Sequence, residues 1–411
     1  MRNLCWAAFP VLLAMAPASY AQSIGYRESL DAAVADQPQV RARELQLDAR
    51  RQIAGAADEL PDPTLRAGIQ NFPVTGPNAF EPFGIMMNML QVGVEQDIPN
   101  LAKRHARAGL AAADIGFAAA QLAHTRHFAR LGAGQAWIAL AYSQQALGVA
   151  ENALAEIERL VPLARSSVAA GSARPGETLE IRRAVLEVED MRTRIEAGRE
   201  TAQAMLARYI ALQNATASGA IPGPEVDVDR LRTTLELNPE ILLAGAQVRQ
   251  AEARSELAQS DKRPDFGVNV SYGRRDPMFG DVVSVMGSIT LPIFTSKRQN
   301  PRIAAAEAEA VAAQSIQADR LRELEAQFEG DVAAWRSAYR QWQRATEELL
   351  PLARNRADLE RASLAAGRAE LLDVIEAIKA LALLQVEILQ REQAAVEAAS
   401  KLRLTYTEHP L

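Results

Sequence analysis

The feature that most constrains the fold is the run from Leu101 to Ala170, which contains no cluster of turn-forming residues. Isolated glycines and Pro162 interrupt a background of Ala, Leu, Arg and Glu, so the run predicts one continuous helix. At a rise of about 1.5 Å per residue it would be roughly 100 Å long, more than a compact domain can bury. Helices of this length occur in coiled coils, fibres and tubes, where partners cover the apolar stripe along its whole length.

A coiled-coil seam is predicted in the second half of this helix, where Leu147, Leu154 and Val161 recur every seven residues. Gly171 predicts a break, and a second helix is expected to return from about Thr178 to Leu212. The chain is therefore expected to be mainly helical, with long antiparallel helical hairpins.

The first residues of the chain predict a secretory signal, 1–21. Arg2 supplies the positive end, Leu4 to Met15 the apolar core, and small residues up to Ala21 the cleavage site, so the mature chain would begin at Gln22. A single membrane anchor is the alternative, but the apolar run is shorter than the about 20 residues that span a bilayer. Cys5, the only cysteine, lies in the signal, so the mature chain is expected to have no disulfide and no cysteine metal site.

Composition and motifs exclude several classes of protein. The formal net charge is −6, with both signs interspersed along the predicted helices, which argues against nucleic acid as a partner. No other apolar stretch reaches about 18 residues, which excludes a helical inner-membrane protein. No nucleophile motif, Walker loop or dinucleotide fingerprint is visible. The chain is therefore expected not to be an enzyme and to need no cofactor.

The chain contains an internal repeat, for which prolines serve as markers. Pro38 and Pro63 are 25 residues apart, as are Pro239 and Pro264, and each pair flanks a helical segment that leads into a strand. Further pairs of motifs follow in the same order: Ile98-Pro99 with Leu291-Pro292, Lys103-Arg104 with Lys297-Arg298, Pro162–Arg165 with Pro351–Arg354, and Val168–Gly171 with Leu364–Gly367. Chance similarity between Ala-rich helices does not account for so many markers in order.

Each copy is predicted to hold a helix, two strands, a very long helix, a turn and a returning helix. The first repeat covers residues 22–213 and the second covers 239–411, joined by a connector at 214–238 whose glycines and prolines rule out a continuous helix. The strands are predicted at about 64–72 and 85–98 in the first copy, and at about 265–274 and 281–293 in the second.

The predicted strands have one apolar and one polar face, as in the alternation of Phe266, Val268, Val270 and Tyr272 with small and polar residues. Strands of roughly ten residues can cross a bilayer when tilted. Four strands cannot close a barrel, because an open edge in lipid leaves backbone groups without partners. Either several chains pool their strands, or the sheet lies outside a membrane.

The combination of a signal, two repeats with long helical hairpins and no mature thiol resembles the TolC-like outer membrane factors of tripartite efflux systems. The resemblance covers almost the whole mature chain. Motifs near the first strands resemble the branch that serves heavy-metal pumps of the resistance-nodulation-division (RND) type. These motifs are Leu60–Leu65, Gly68, Asn71–Val74, and Val92–Pro99 with Lys103-Arg104.

The resemblance implies a homotrimer whose strands form one shared twelve-stranded β-barrel in outer membrane lipid, with the helical hairpins forming a periplasmic α-barrel. The loops at about 73–83 and 276–280 would face outside. It also implies a periplasmic adaptor (membrane fusion protein) and an inner-membrane RND pump as partners. The adaptor would dock at the two turns formed by Ala170 and Gly171 and by Ala366, Gly367 and Arg368. An ordinary glycine helix cap is the alternative.

Two carboxylates follow the second turn. Asp373 and Glu376 lie six and nine residues after Gly367, which matches the tip motif of the family, and they share a helix face. In a trimer they would place a ring of carboxylates around a narrow periplasmic mouth. Such a ring concentrates cations and must be held apart or neutralised, as in a gate. A solvated helix face is the alternative.

The first turn has the same spacing. Glu177 and Glu180 lie six and nine residues after Gly171, although Pro175-Gly176 departs from the family motif. They are the second pair of candidate gate residues.

Two groups of residues could be read as metal sites. His124 and His127 share a helix face, but neither a carboxylate nor a third histidine follows at ligand spacing, so packing is the preferred interpretation. Met86, Met87 and Met89 would fall on both faces of a strand and are interpreted as barrel wall. No resident metal is predicted.

The sequence thus supports the hypothesis of a passive exit duct through which an inner-membrane pump expels heavy-metal cations. Export of drugs or other organic solutes is the alternative within the family. A periplasmic adaptor would insert one hairpin into compact β-domains, whereas here two hairpins each follow amphipathic strands. A soluble coiled-coil scaffold is the remaining alternative.

Overall fold

The computed structural model describes residues 22–406 except 82, 84 and 170–173. The predicted signal and the turn residues Ala170 and Gly171 therefore lie outside the described residues. Within these limits the chain is mainly helical, as predicted. In chain order its elements are β1 (Ser23–Ile24), α1 (Tyr26–Asp36), α2 (Pro38–Gly55), β2 (Thr64–Gln70), β3 (Met89–Ile98), α3 (Leu101–Ala169), α4 (Pro175–Ala207), β4 (Thr216–Ala217), α5 (Val228–Arg232), α6 (Pro239–Ser260), β5 (Asp265–Arg274), β6 (Val282–Thr290), α7 (Gln299–Arg344), α8 (Leu350–Ala365) and α9 (Leu371–Tyr406).

Proline positions shape the long helices. α4 begins at Pro175, before the predicted start at Thr178, because a missing N–H is harmless in the first turn of a helix. α7 and α8 are joined by a π-helical turn at Ala345–Leu349, just before Pro351. Pro351 has no N–H to donate to the helix, and its ring crowds the preceding turn. The wider π turn accommodates both effects. None of the described helices is long and apolar enough to cross a membrane.

The described chain forms two compact units. The helical unit comprises the described residues up to Gln37, with Ala129–Glu225 and Ala334–Lys401. The sheet unit comprises Pro38–Phe128, Val226–Ala333 and the described residues from Leu402 onward. Each unit takes residues from both predicted repeats, and the division into residues 22–213, 214–238 and 239–411 stays a prediction.

The core of the helical unit is built by α3, α4 and α9. Ile157, Val188 and Ile375 are buried in it. The predicted seam is confirmed for Leu147 and Leu154, which are buried. Small residues in the same cluster allow helix backbones to approach closely: Ala150, Ala153, Ala184 and Ala382.

The sheet unit contains a four-stranded antiparallel sheet in the order β2-β3-β5-β6. β3 and β5, one from each predicted repeat, pair at its centre, with Ile98 opposite Phe266 and Leu90 opposite Arg274. β2 and β6 are the edge strands, and each is paired within the described chain on one side only.

Three strand boundaries differ from the prediction by two or more residues. β2 ends at Gln70 rather than at residue 72. β3 begins at Met89 because residues 85–88 form a turn, in which the Asn88 N–H donates to the Ile85 carbonyl at 3.1 Å. The prediction that Met86 and Met87 lie on a strand is therefore wrong. β6 ends at Thr290 rather than at residue 293, because Pro292 has no N–H to donate to a strand ladder.

Candidate functional site

The turn between α8 and α9 is a complete Schellman motif centred on Gly367. Gly367 has a φ of +70°, in the left-handed region. The Arg368 N–H donates to the Ser363 carbonyl at 2.8 Å, and the Gly367 N–H donates to the Leu364 carbonyl at 2.9 Å. The predicted docking residues Ala366, Gly367 and Arg368 are all exposed here. The equivalent residues of the first turn, Ala170 and Gly171, are among those that the structure does not describe.

We expect Gly367→Ala to cost about 1–2 kcal/mol of stability, because an L-residue in the left-handed conformation is strained by that amount. A Cβ at this position would meet no atom within 4 Å, so the cost comes from the backbone alone. Gly367→Asn is the matched control, since asparagine tolerates the left-handed region better. Thermal unfolding of the purified variants measures the difference, and equal melting of the two variants would contradict the interpretation.

Asp373 and Glu177 have the same structural role at the starts of α9 and α4. The Asp373 carboxylate accepts the Glu370 N–H at 3.1 Å, and the Glu177 carboxylate accepts the Arg174 N–H at 3.0 Å. An acidic side chain in this position satisfies a backbone donor that the helix leaves free, and it also complements the helix dipole. The predicted gate residues nearest the two turns are thus helix-capping residues.

Glu376 belongs to an ion-pair cluster that joins α9 to α4. Lys379 Nζ lies 2.7 Å from one Glu376 carboxylate oxygen and 2.8 Å from a Glu187 oxygen. The Lys379 side chain is only 14% exposed. Burial acts to lower the pKa of Lys379, but the hydrogen bonds to the two carboxylates outweigh it and leave that pKa raised. One cation therefore holds two carboxylates from different helices.

Arg183 extends this cluster to Glu180. Its Nε lies 2.9 Å from Glu187, and its Nη1 lies 3.5 Å from Glu180. The tip cluster, as we call it, thus consists of Glu376, Lys379, Glu187, Arg183 and Glu180. It holds three carboxylates against two cations, so one negative charge per chain stays uncompensated within it.

The tip cluster was only partly visible in the sequence. The pairs Glu376–Lys379 and Arg183–Glu187 have the helical spacings of three and four residues, which a charge-pattern search can find. The contact of Lys379 with Glu187 joins residues far apart in the chain. This contact forms only because α9 packs against α4, which local sequence spacing does not show.

We expect the tip cluster to lose stability at both extremes of pH. Hydrogen bonds from Lys379 and Arg183 lower the pKa of Glu187. Its stabilising contribution is therefore present above the unfolded value of about 4.3 and is lost as the pH falls through the folded value. The pKa of Lys379 is raised, so its contribution is present below about 10.4 and is lost as the pH rises through the folded value.

Melting curves across the pH range test this expectation. Glu187→Gln removes the group whose pKa is lowered, so the variant should lose less stability than the wild type on acidification. Thr193→Ala, an exposed change on the same helix, serves as the control. If the Glu187 variant and the wild type lost stability in parallel below about pH 4, the assignment would be wrong.

The histidines pack against an aromatic ring. The His124 and His127 rings lie 4.7 Å and 5.5 Å from the Phe128 ring, measured between centroids. Burial lowers the pKa of His124. Among the described residues no group of three or more His, Cys, Asp or Glu side chains is arranged to hold a metal ion. Packing accounts for both histidines.

Apolar side chains dominate one face of the four-stranded sheet and are exposed. Val270, at the centre, lies opposite Val94 and Val285 and is 46% exposed. The apolar face, as defined here, comprises Leu65, Ala67, Ile69, Leu90, Val92, Val94, Phe266, Val268, Val270, Tyr272, Val283, Val285 and Ile289. The opposite face is polar, with Arg66 paired to Glu95 at 2.5 Å and Gln91 donating to Ser271 at 2.7 Å.

Part of the chain is similar to a known family of proteins. Residues 231–406 match the outer membrane efflux protein family. The match covers less than half of the chain, and it includes α6 to α9, β5, β6 and the turn at Gly367. No curated protein matches the chain significantly.

Solved structures extend the likeness in fold over the rest of the chain. A membrane protein from Pseudomonas aeruginosa has a TM-score of 0.78 and 17% identity, covering 94% of this chain and 91% of that one. CusC has a TM-score of 0.75 and 13% identity, covering 93% and 92%. The Campylobacter jejuni CmeC outer membrane channel has a TM-score of 0.75 and 11% identity, covering 99% and 94%. These likenesses concern the fold.

Proposed function

We propose that the protein is the outer membrane channel of a tripartite efflux system, a passive exit duct without enzymatic activity. The observation that carries this proposal is the exposed apolar face of the sheet. Soluble monomers rarely expose contiguous apolar patches of more than a few hundred Å², and strands with alternating apolar and polar faces are typical of barrels in the outer membrane. Lipid would cover the apolar face, and the polar face would line an aqueous pore.

The free edges of β2 and β6 support an assembly of several copies, and the family resemblance implies that it is a homotrimer. In lipid, each unpaired backbone group of an edge strand costs several kcal/mol, so a membrane sheet must close on itself. The proposed closure pairs β6 of one subunit with β2 of the next, which gives a shared barrel of twelve strands. The helical hairpins would form the periplasmic tunnel.

The expected partners are a periplasmic adaptor and an inner-membrane RND pump, as the family resemblance implies. Heavy-metal cations are the proposed substrate class because the motifs from Leu60 to Val74 and from Val92 to Arg104 resemble the branch that serves heavy-metal pumps. Drugs or other organic solutes remain the alternative. The exposed residues Ala366, Gly367 and Arg368, with Ala170 and Gly171, are the proposed adaptor-docking turns.

The proposed periplasmic gate consists of Asp373 and Glu376 with Glu177 and Glu180. Three copies of each would surround the mouth of the tunnel. Glu376 and Glu180 are partly neutralised by the cations of the tip cluster, which allows carboxylates to face one another in a closed mouth. Movement of α9 against α4 would break the Lys379 contacts and increase the negative charge that cations meet.

Membrane fractionation and substrate sensitivity test the proposal. The expected result is recovery in outer membrane extracts as a heat-modifiable trimer, together with sensitivity of a deletion strain to metal salts. Recovery in the soluble periplasm as a monomer would overturn the channel in favour of a scaffold or adaptor. If the deletion sensitised cells only to dyes and drugs, the assignment of metal cations as substrates would be wrong, but the proposal of an efflux channel would still hold.

A further inference from the structure

The end of β3 and the start of β5 meet in a closed junction within the chain. Lys103 Nζ lies 2.6 Å from Asp265 and 2.9 Å from Asp261. The Asn100 backbone and side-chain amides both donate to Asp265, at 2.9 Å and 2.8 Å. Pro99 and Asn100 are buried there. The closed junction thus joins the residues that follow β3 to those that precede and begin β5.

The corresponding residues of the other repeat, which follow β6, form no such ion pairs with the described residues. The segment after β6, Leu291–Arg298, exposes Leu291, Ile293 and Phe294, and the last two are 76% and 68% exposed. Lys297 and Arg298 occupy the motif position of Lys103-Arg104, and both side chains are exposed. Neither makes an ion pair with any residue that the structure describes.

The segment that carries the opposite charges lies before β2. Pro63 directly precedes β2, as Pro264 directly precedes β5. Glu59 and Asp62 lie in this segment, and both are exposed and without an ion-pair partner among the described residues. Asp58, in contrast, is already paired with Arg104 at 3.4 Å. Within one chain, therefore, two unpaired cations follow one edge strand and two unpaired carboxylates precede the other.

Strand register indicates how the segment after β6 and the segment before β2 could meet. In the closed junction, Ile98 at the end of β3 stands opposite Phe266 at the start of β5 in an antiparallel pair. Antiparallel pairing of β6 with β2 of a second copy would likewise set the end of β6 beside the start of β2. We infer that Lys297 and Arg298 of one subunit form ion pairs with Glu59 and Asp62 of the next, while the apolar residues 291–294 are covered by that second copy. This inference rests on the proposed function, which supplies the shared barrel.

Charge reversal tests the pairing. Lys297→Glu and Asp62→Lys should each lower the temperature at which the trimer dissociates in detergent, and the double variant K297E/D62K should recover most of the loss. Arg322→Glu is the matched control, since Arg322 is exposed on α7 with no ion-pair partner among the described residues. Equal effects of K297E and R322E, or no recovery in the double variant, would overturn the inference.

Cysteine cross-linking tests the same contact directly. Cys5, in the predicted signal, is the only native cysteine, so cross-links in the mature chain would come from the introduced cysteines. The variant D62C/K297C should yield covalent dimers and trimers with a short bismaleimide, whereas D62C/M278C should not. Met278 is 82% exposed and lies at the far end of the β5–β6 hairpin, roughly 30 Å along the strands.

The outcomes separate this inference from the proposed function. A wild-type protein that is monomeric in outer membrane extracts would refute both. A wild-type trimer in which D62C/K297C gives only monomers or internal links would refute the inference and leave the channel intact. Intermolecular links from D62C/K297C, with recovery in K297E/D62K, would support the inferred pairs.

Discussion

Replacing Val270 by arginine is expected to abolish assembly of the protein in the outer membrane. Val270 lies midway along β5 on the apolar face, opposite Val94 and Val285. A lipid-facing arginine near the bilayer midplane costs a barrel about 2–4 kcal/mol. Because each trimer would carry three copies, the total penalty would be roughly 6–12 kcal/mol. The measurement is the amount of heat-modifiable trimer in outer membrane extracts.

Asn269→Arg is the matched control, since Asn269 is the neighbouring residue and points to the polar face of the same strand. Its side chain would reach water in the proposed pore, so this variant should assemble. If the Val270 variant assembled as well as the Asn269 variant, the apolar face would not lie against lipid. The observation that carries the proposed function would then have another explanation.

Replacing Lys379 by methionine is expected to loosen the contact of α9 with α4 and to increase cation selectivity. The change leaves Glu376 and Glu187 facing each other without the cation between them. Removing one partner of a buried pair costs roughly 3–5 kcal/mol. Because Glu187 and Glu376 are 40% and 45% exposed, solvent screening brings the expected loss to about 1–2 kcal/mol.

Planar-bilayer conductance and thermal melting of the same preparation measure the two effects. Lys379→Arg, which keeps the charge, should stay close to the wild type in both. Adding Glu187→Gln to the methionine variant removes the repulsion and should recover part of the stability. A methionine variant with unchanged melting and unchanged ion selectivity would remove the tip cluster from the proposed gate.

Much of the architecture could be predicted from local signals. The absence of clustered turn residues between Leu101 and Ala169 predicted α3, and alternation in Phe266–Tyr272 predicted β5. Boundaries were less predictable where backbone hydrogen bonding decided them. The turn at residues 85–88 displaced Met86 and Met87 from β3, because one N–H to carbonyl bond closes that turn instead of extending the strand.

The acidic residues of the candidate gate were located from the sequence, but the cations that pair with them were not. The resemblance to the tip motif of the family located Asp373 and Glu376 after Gly367, and the same spacing after Gly171 located Glu177 and Glu180. These four residues have different structural roles, and their spacing in the sequence does not predict the difference. Asp373 and Glu177 cap helix starts through backbone donors, whereas Glu376 and Glu180 join side-chain ion pairs.

By itself the sequence determined the long helices, the alternating strands and the repeated order of elements, because helix and strand periodicities are properties of neighbouring residues. Tertiary structure decided which distant residues meet. It placed Lys379 of α9 against Glu187 of α4, and it closed the junction at Lys103 while leaving Lys297 unpaired within the described chain. The physical reason is that an ion pair depends on distances of a few ångströms between side chains, and only the packing of whole elements sets those distances.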